Sequence, residues 1–292
     1  MKITAENKVI IQGITEKNGL IYSEKMKEYG TNIVAGISYN GEEKTEIPMF
    51  DLVEQVIDKE GKIDTSIIFA SPYKALDVTR EAIAAGINQI ILITRDIPPL
   101  DMVSLLRIAE NSKTLLLGPG SRGIIIPGKL LLGTYETQFY TPGNVGIISR
   151  SISLNYEVAM TLTNAGIGQS ISVNLGNGSL IGSSFCQWLE ILAEDKNTKA
   201  IVLVGQNGSG DEEEAALIAA KIDKPIIVYM AGIHGKSKNQ NTDYYMMISA
   251  YLTGKIDDLG TTQRKINAFK QVKIPVAEKI SEIPILLKKY HK

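Results

Sequence analysis

Some residue types are scarce here, and each scarcity removes a class of protein. The 292 residues hold one cysteine, two histidines, one tryptophan and five phenylalanines. A single thiol, Cys186, excludes an intrachain disulfide and points to a reducing compartment. His234 and His291 are the only imidazoles, and His291 is the penultimate residue, so a histidine-based metal cluster is excluded and no metal site is expected. Lys+Arg 31 against Asp+Glu 32 leaves a net charge of -1, which gives no bulk electrostatic basis for binding nucleic acid or an anionic membrane. No apolar run approaches the ~20 residues that a membrane span needs. Glu6 and Lys8 stand where a secretory signal would carry apolar residues. The expectation is a cytoplasmic protein with no nucleic-acid or membrane partner. Cys186, beside Trp188 in an amphipathic stretch over 183–189, reads as a buried small apolar residue rather than a reactive thiol.

What is present is ordinary globular material, 44% apolar and 22% charged, in a chain long enough for two domains. Short β-branched runs at Val9–Gln12, Asn32–Ile37, Ser66–Ala70, Gln89–Ile93 and Thr114–Leu117 alternate with helical stretches at Leu20–Tyr29, Lys74–Ala85 and Pro99–Asn111. Buried strands alternating with helices predict a parallel, doubly wound sheet whose strand-end loops form the binding edge. The same alternation resumes with Val145–Ile148, Ser170–Val173, Ala200–Gly205 and Pro225–Tyr229, and a final apolar stretch lies over 273–276. Helices are indicated at Leu154–Asn164, Phe185–Ala193, Glu212–Ala220 and Thr261–Phe269. The predicted fold class is α/β: a Rossmann-like domain over residues 1–140, then a flavodoxin-like parallel α/β domain over residues 141–292.

Three loops invite chemistry. Gly13-Ile14-Thr15-Glu16-Lys17-Asn18-Gly19 follows the first strand but is not the G-x-G-x-x-G fingerprint. The second strand closes on Ser38-Tyr39, where an acidic residue for a ribose is expected, so NAD is disfavoured. A phosphate-bearing ligand loop and a plain structural turn both remain open there. In the second half, Ser149-Arg150-Ser151-Ile152-Ser153 turns a strand into a helix, and its free N–H groups with the helix dipole make a potential anion site. Gly235-Lys236-Ser237 looks like the end of a P-loop, but Met230 occupies the first glycine position and the match fails. Asp211-Glu212-Glu213-Glu214 opens a helix and reads as carboxylates complementing its dipole.

Taken in order, Gln12-Gly13-Ile14-Thr15, Ile93-Thr94, Ile97-Pro98, Gly118-Pro119, Ile126-Pro127-Gly128, Val145-Gly146-Ile147, Ser149-Arg150-Ser151, Tyr156-Glu157 and Glu212-Glu213-Glu214-Ala215-Ala216 resemble the α subunit of succinyl-CoA synthetase over nearly the whole chain. The resemblance implies an N-terminal CoA-binding domain and a second domain carrying a phosphohistidine. It also implies pairing with an ATP-grasp β subunit in a nucleotide-dependent (ADP- or GDP-forming) acyl-CoA ligase. Carried over by position, coenzyme A would touch Gly13, Thr15, Lys17 and Asn18, then Ser71, Pro72 and Tyr73, then Thr94, Arg95 and Ile97. The lysine expected after the second strand falls near Gly41, with Lys44 the nearby substitute.

The departures cluster on the chemistry. Where the family has Gly-His-Ala-Gly, this chain runs Gln240-Asn241-Thr242-Asp243-Tyr244-Tyr245. An ungapped count puts Asp243 at the histidine, and a one-residue gap puts Tyr244 there. The family glutamate that orients the histidine falls at Gln206, which is neutral. The phosphate corner becomes Ser151-Ile152-Ser153, with Ile152 at a glycine. In the CoA loop, Glu16 stands at a glycine and Tyr22 at a histidine. The implied reading is a CoA- or acyl-CoA-binding α-like subunit, partnered by an ATP-grasp β-like chain, without phosphohistidine chemistry. Two alternatives stand beside it. One is a ligase working without histidine, with Asp243 as a transient acyl phosphate. The other is a non-enzymatic scaffold, favoured by Glu16 in a phosphate loop.

Overall fold

The computed structural model describes residues 3–39, 45–178, 180–206, 211–232 and 262–290. The chain divides into two compact units: residues 1–137 with 173–183, and residues 138–172 with 184–292.

In the first unit six strands form one sheet. They are β1 (Val9–Gln12), β2 (Ile33–Ile37), β3 (Met49–Phe50), β4 (Thr65–Ile68), β5 (Gln89–Leu92) and β6 (Leu115–Leu117), ordered β3-β2-β1-β4-β5-β6 with every neighbouring pair parallel. Between them run α1 (Gly19–Glu28), α2 (Val53–Glu60), α3 (Ala75–Ala84) and α4 (Pro99–Ser112). The order reverses direction at β1/β4, which is where a doubly wound sheet opens its crevice. β1, β4 and β5 are buried at every residue, as strands covered on both faces must be. This unit also holds an antiparallel hairpin, β7 (Gly123–Ile126) with β8 (Leu130–Gly133). Neither it nor β3 and α2 stands out in the sequence. Ile-Pro-Gly-Lys between two apolar triplets is a hairpin signal overshadowed by the parallel alternation around it.

The second unit contains β9 (Pro142–Ser149), α5 (Ile152–Asn164), β10 (Gln169–Asn174, its last two residues clustering with the first unit), α6 (Phe185–Glu194), β11 (Ala200–Gly205), α7 (Asp211–Ala219), β12 (Ile226–Met230), α8 (Thr262–Gln271), β13 (Val276–Ala277) and α9 (Ile283–Tyr290). Its strands run β13-β12-β11-β9-β10, with β9–β11, β11–β12 and β12–β13 parallel. Phe185, Trp188 and Phe269 are fully buried and fill the space between helices and sheet. β9 starts earlier than its apolar run. Gly143 and Gly168 lie so close that a Cβ on Gly143 would sit 2.3 Å from the Gly168 carbonyl carbon, and that contact lets exposed Pro142–Asn144 join the strand. No helix among the described residues is long and apolar enough to cross a membrane.

Candidate functional site

The first unit gathers its candidate residues at one sheet edge. β1, β4 and β5 are consecutive neighbours, and the loops after their C-terminal ends carry Gly13–Asn18, Ser71–Tyr73 and Thr94–Ile97. Gly13 sits at φ +76°, and a Cβ there would lie 2.9 Å from the Ala70 nitrogen, so only glycine lets β1 turn against the β4 loop. The buried Thr94 hydroxyl donates to Ala70 O at 2.7 Å and fastens the β5 loop to the same segment.

The Gly13–Asn18 loop is wound on itself: Glu16 N–H donates to Gly13 O at 3.0 Å and Gly19 N–H to Glu16 O at 2.8 Å. It then feeds α1, whose N-cap residue Asn18 makes no side-chain cap and whose first turn holds no acid. The N–H groups of Leu20 and Ile21, with the dipole behind them, are therefore available to an anion. Lys17 and Asn18 are exposed at this start, Thr15 half so. Tyr73 is 84% exposed, whereas Ile97 is 7% exposed and packs in the hydrophobic cluster of the unit. Tyr22 stacks on Phe69 with ring centroids 6.4 Å apart.

Beneath this edge lies a polar network that the strand pattern conceals. Gln12 closes β1 fully buried, accepting from Ser66 Oγ at 2.6 Å and donating from Nε2 to Val78 O and to the Tyr39 hydroxyl, both at 3.1 Å. Tyr39 donates to Glu81 Oε2 at 3.0 Å, and Glu81 Oε1 accepts from Val53 N–H at 2.8 Å, the first residue of α2. A glutamine ending an otherwise apolar run was the available signal. Nothing in the sequence singles out Glu81.

The second unit's edge is organised differently. Ser149 Oγ accepts from Ser151 N–H at 3.0 Å and donates to Ser151 O at 2.7 Å, while Ser151 Oγ caps α5 by accepting from Leu154 N–H at 3.3 Å. Of the donors at this corner, the N–H groups of Ile152 and Ser153 are the ones its own hydroxyls leave over. Ile152 is half-buried and Ser153 exposed.

At the next helix, Ser184 caps α6, and Asp211 Oδ2 accepts from Phe185 N–H at 3.0 Å. Burial first of all raises the Asp211 pKa, with Glu212 and Glu214 adding to it and the Phe185 N–H and Arg150 opposing. Glu212 is not a surface complement to a dipole. It is fully buried and paired at 2.7 Å with the equally buried Lys265 ammonium. The two hold one residue: Gln206 N–H donates to Glu212 Oε1 at 3.1 Å, and Lys265 Nζ donates to Gln206 O. Lys265, set in Thr-Gln-Arg-Lys, gives no sign of this in the sequence.

Cys186 is half-buried, and burial together with Asp211, Glu214 and Glu190 pushes its thiol up to about 11. Lys44, Asp243 and Tyr244 lie outside the described residues, as do both histidines. Among the described residues no group of three or more His, Cys, Asp or Glu is arranged to hold a metal ion.

Comparison with known proteins follows the same division. Residues 4–95 match the CoA binding domain, and residues 142–250 match the succinyl-CoA ligase like flavodoxin domain. The succinate–CoA ligase [ADP-forming] subunit alpha 2 of Archaeoglobus fulgidus is 37% identical over 290 residues, covering 96% of this chain and 98% of that one. The malate–CoA ligase subunit alpha of Methylorubrum extorquens is 37% identical over 238 residues, covering 79% of this chain and 80% of its own. Among solved structures, ATP citrate lyase from Methanothrix soehngenii, in complex with citrate and coenzyme A, superposes with a TM-score of 0.79 at 18% identity. That match covers 100% of this chain and 50% of the lyase chain, and it supports the fold alone.

Proposed function

Because the chain belongs to the succinate–CoA ligase α-subunit family, we propose that it is a CoA-binding α-type subunit, assembled with an ATP-grasp β-like chain, whose second unit does not relay a phosphoryl group through histidine. One observation carries the reading: neither first turn holds a carboxylate, but Asn18 gives α1 no side-chain cap whereas Ser151 caps α5. An open helix start bordered by Gly13, Thr15, Lys17 and Asn18 suits the pyrophosphate of CoA, with Ser71, Pro72, Tyr73, Thr94 and Arg95 along the neighbouring loops for the rest of the molecule.

The second half of the proposal follows from what replaces the family's reacting groups. Asp243 or Tyr244 stands for the phosphorylated histidine. Gln206 stands for the glutamate beside it, and a neutral amide cannot stabilise an imidazolium as a carboxylate does. Ile152 puts a branched side chain where close phosphate approach requires none.

Titration calorimetry of the full chain with CoA tests the first half: saturable binding is expected, and no heat at millimolar CoA overturns it. Incubating the chain and its β-like partner with γ-labelled ATP tests the second. No acid-labile, base-stable label should appear on this chain, and such a label overturns the claim. Base-labile label that Asp243→Asn removes would assign an aspartyl phosphate in its place.

A further inference from the structure

The loop that leads into α1 is rooted between the ends of two strands. Gly13 and Ile14 both donate their N–H groups to Ile37 O, at 3.0 and 3.2 Å, and Thr15 Oγ1 lies 3.1 Å from Ser38 Oγ. Gln12 stands just before this root on β1, and Tyr39 just after it beyond β2. Their side chains meet at Glu81 of α3, whose Oε2 accepts from the Tyr39 hydroxyl at 3.0 Å and from Gln12 Nε2 at 3.3 Å. Glu81 Oε1 takes the Val53 N–H that opens α2. α3 itself starts directly behind the second candidate loop, where Lys74 N–H donates to Ser71 O at 3.0 Å. Glu81 therefore ties together the segments from which Gly13–Asn18 and Ser71–Tyr73 project, its partners Gln12, Tyr39 and Val53 belonging to neither loop.

The Gln12 amide makes a carboxylate the fitting partner. Val78 O, 3.1 Å from Gln12 Nε2, can only accept, and Ser66 Oγ donates to Gln12 Oε1 at 2.6 Å, so the amide presents a donor towards Glu81. A glutamine in place of Glu81 could keep the Val53 bond through its oxygen, but its NH2 would then face the Gln12 NH2. Two amide donors would compete for the Tyr39 oxygen, and the phenol would lose its acceptor. The ends of β1 and β2 would relax apart at the root of the loop while the strands above keep their register.

We infer that Glu81 is a positioning residue for the CoA loop: through Gln12 and Tyr39 it fixes the ends of β1 and β2, and so the direction in which the Gly13–Asn18 loop and α1 present their N–H groups. The inference rests on the CoA reading above and adds the residue that holds the loop to those that would touch the ligand. Calorimetric titration of the full chain with CoA, wild type and variants each well below the melting temperature, tests it. Glu81→Gln should weaken CoA by about 3- to 10-fold. Thr79→Val removes a buried hydroxyl from the same helix, one that donates to Ala75 O at 2.6 Å, and should leave the affinity within about twofold. Thr15→Val removes the hydroxyl through which Ser38 meets the loop. Combined with Glu81→Gln it should lose clearly less than the product of the two single losses, because both changes act on one link.

No binding to wild type overturns the CoA reading and this inference together. Binding that Glu81→Gln leaves within about twofold of wild type overturns the inference alone. So does an equal loss in Thr79→Val, which traces the effect to the stability of α3. Fully multiplicative losses separate Glu81 from the loop and overturn it as well. If Glu81→Gln does not melt cooperatively, Tyr39→Phe reads the same link by removing only the hydroxyl. A loss of about threefold is then expected, and unchanged affinity overturns the inference.

Discussion

Two helix starts, α1 in the first unit and α5 in the second, follow the C-terminal ends of parallel strands, and they have been finished in opposite ways. α1 has an uncapped N-terminus and no acid in its first turn. The other helices of its unit each carry an acid there: Glu54 in α2, Asp77 in α3 and Asp101 in α4. α5 is capped by Ser151, its neighbour α6 is served by Ser184 and Asp211, and α7 opens with four carboxylates. A helix start whose donors are already bonded to its own chain gains little from an external anion, because the anion must displace those bonds. The difference is the cap: Asn18 leaves α1 without one, whereas Ser151 caps α5 and leaves only the N–H groups of Ile152 and Ser153 over. Comparable helix starts can therefore be finished differently in two units of one fold class without any change of topology.

The largest expected effect lies at the filled edge. Lys265→Met removes the buried counter-charge of Glu212 and releases the carbonyl of Gln206. It should destabilise the chain by about 3–5 kcal/mol in urea unfolding, and the double variant Lys265→Met/Glu212→Leu should recover most of that loss. A loss below about 1 kcal/mol for the single change would mean that the pair is solvated and the second edge is open after all.

Next comes the open edge. A Cβ on Gly19 would sit 2.4 Å from Ile14 O, inside the Gly13–Asn18 loop. Gly19→Ala should weaken CoA by at least about 30-fold, close to 2 kcal/mol, while costing about 1–3 kcal/mol in stability. Retention of full CoA affinity would move the ligand off this loop.

The caps themselves give a smaller and more direct contrast. Ser151→Ala removes a bonded cap and should cost about 1 kcal/mol without touching CoA affinity. Asn18→Ala removes a residue that caps nothing and should change stability by less than about 0.5 kcal/mol. Equal costs at the two positions would erase the comparison.

Much of this contrast was legible in the chain, but not all of it for the same reason. Buried parallel strands announce themselves by continuous β-branched runs, so β1, β4, β5 and β11 appear in the sequence almost residue for residue. β3 has two residues and no such run, and the hairpin of β7 and β8 is apolar on the same scale as its parallel neighbours. Gly13 was identifiable because a glycine after a buried strand marks a turn. The Ser149–Ser151 exchange was not, since a serine that donates to its neighbour and one that waits for a ligand are the same letter. Long-range pairs such as Lys265 with Glu212, 53 positions apart, have no periodic signature at all. Resemblance to a family nominated Gln206, Asp243 and Tyr244 for the chemistry, and the hydrogen bonds separate an uncapped helix start from a capped one.

Asp211 offers the finest test, because burial opposes its charge. Burial raises its pKa in the folded chain above the ordinary 3.8. The folded state therefore holds that proton more tightly than the unfolded one, and ionisation of Asp211 subtracts from stability at neutral pH. Asp211→Asn keeps an oxygen to accept the Phe185 N–H and removes the charge. The variant should be more stable than wild type at neutral pH by a few tenths of a kcal/mol to about 1 kcal/mol. Its advantage should shrink as the pH falls through the raised Asp211 value and vanish below the ordinary one. Cys186 supplies a second readout, since Asp211 is one cause of its raised thiol. Alkylation at mildly alkaline pH, slow in wild type by roughly tenfold against an ordinary thiol, should quicken in the variant. If Asp211→Asn instead destabilises the neutral protein and leaves the thiol unchanged, the carboxylate serves its helix start as an anion. The second edge would then owe its closure to charge rather than to hydrogen bonding.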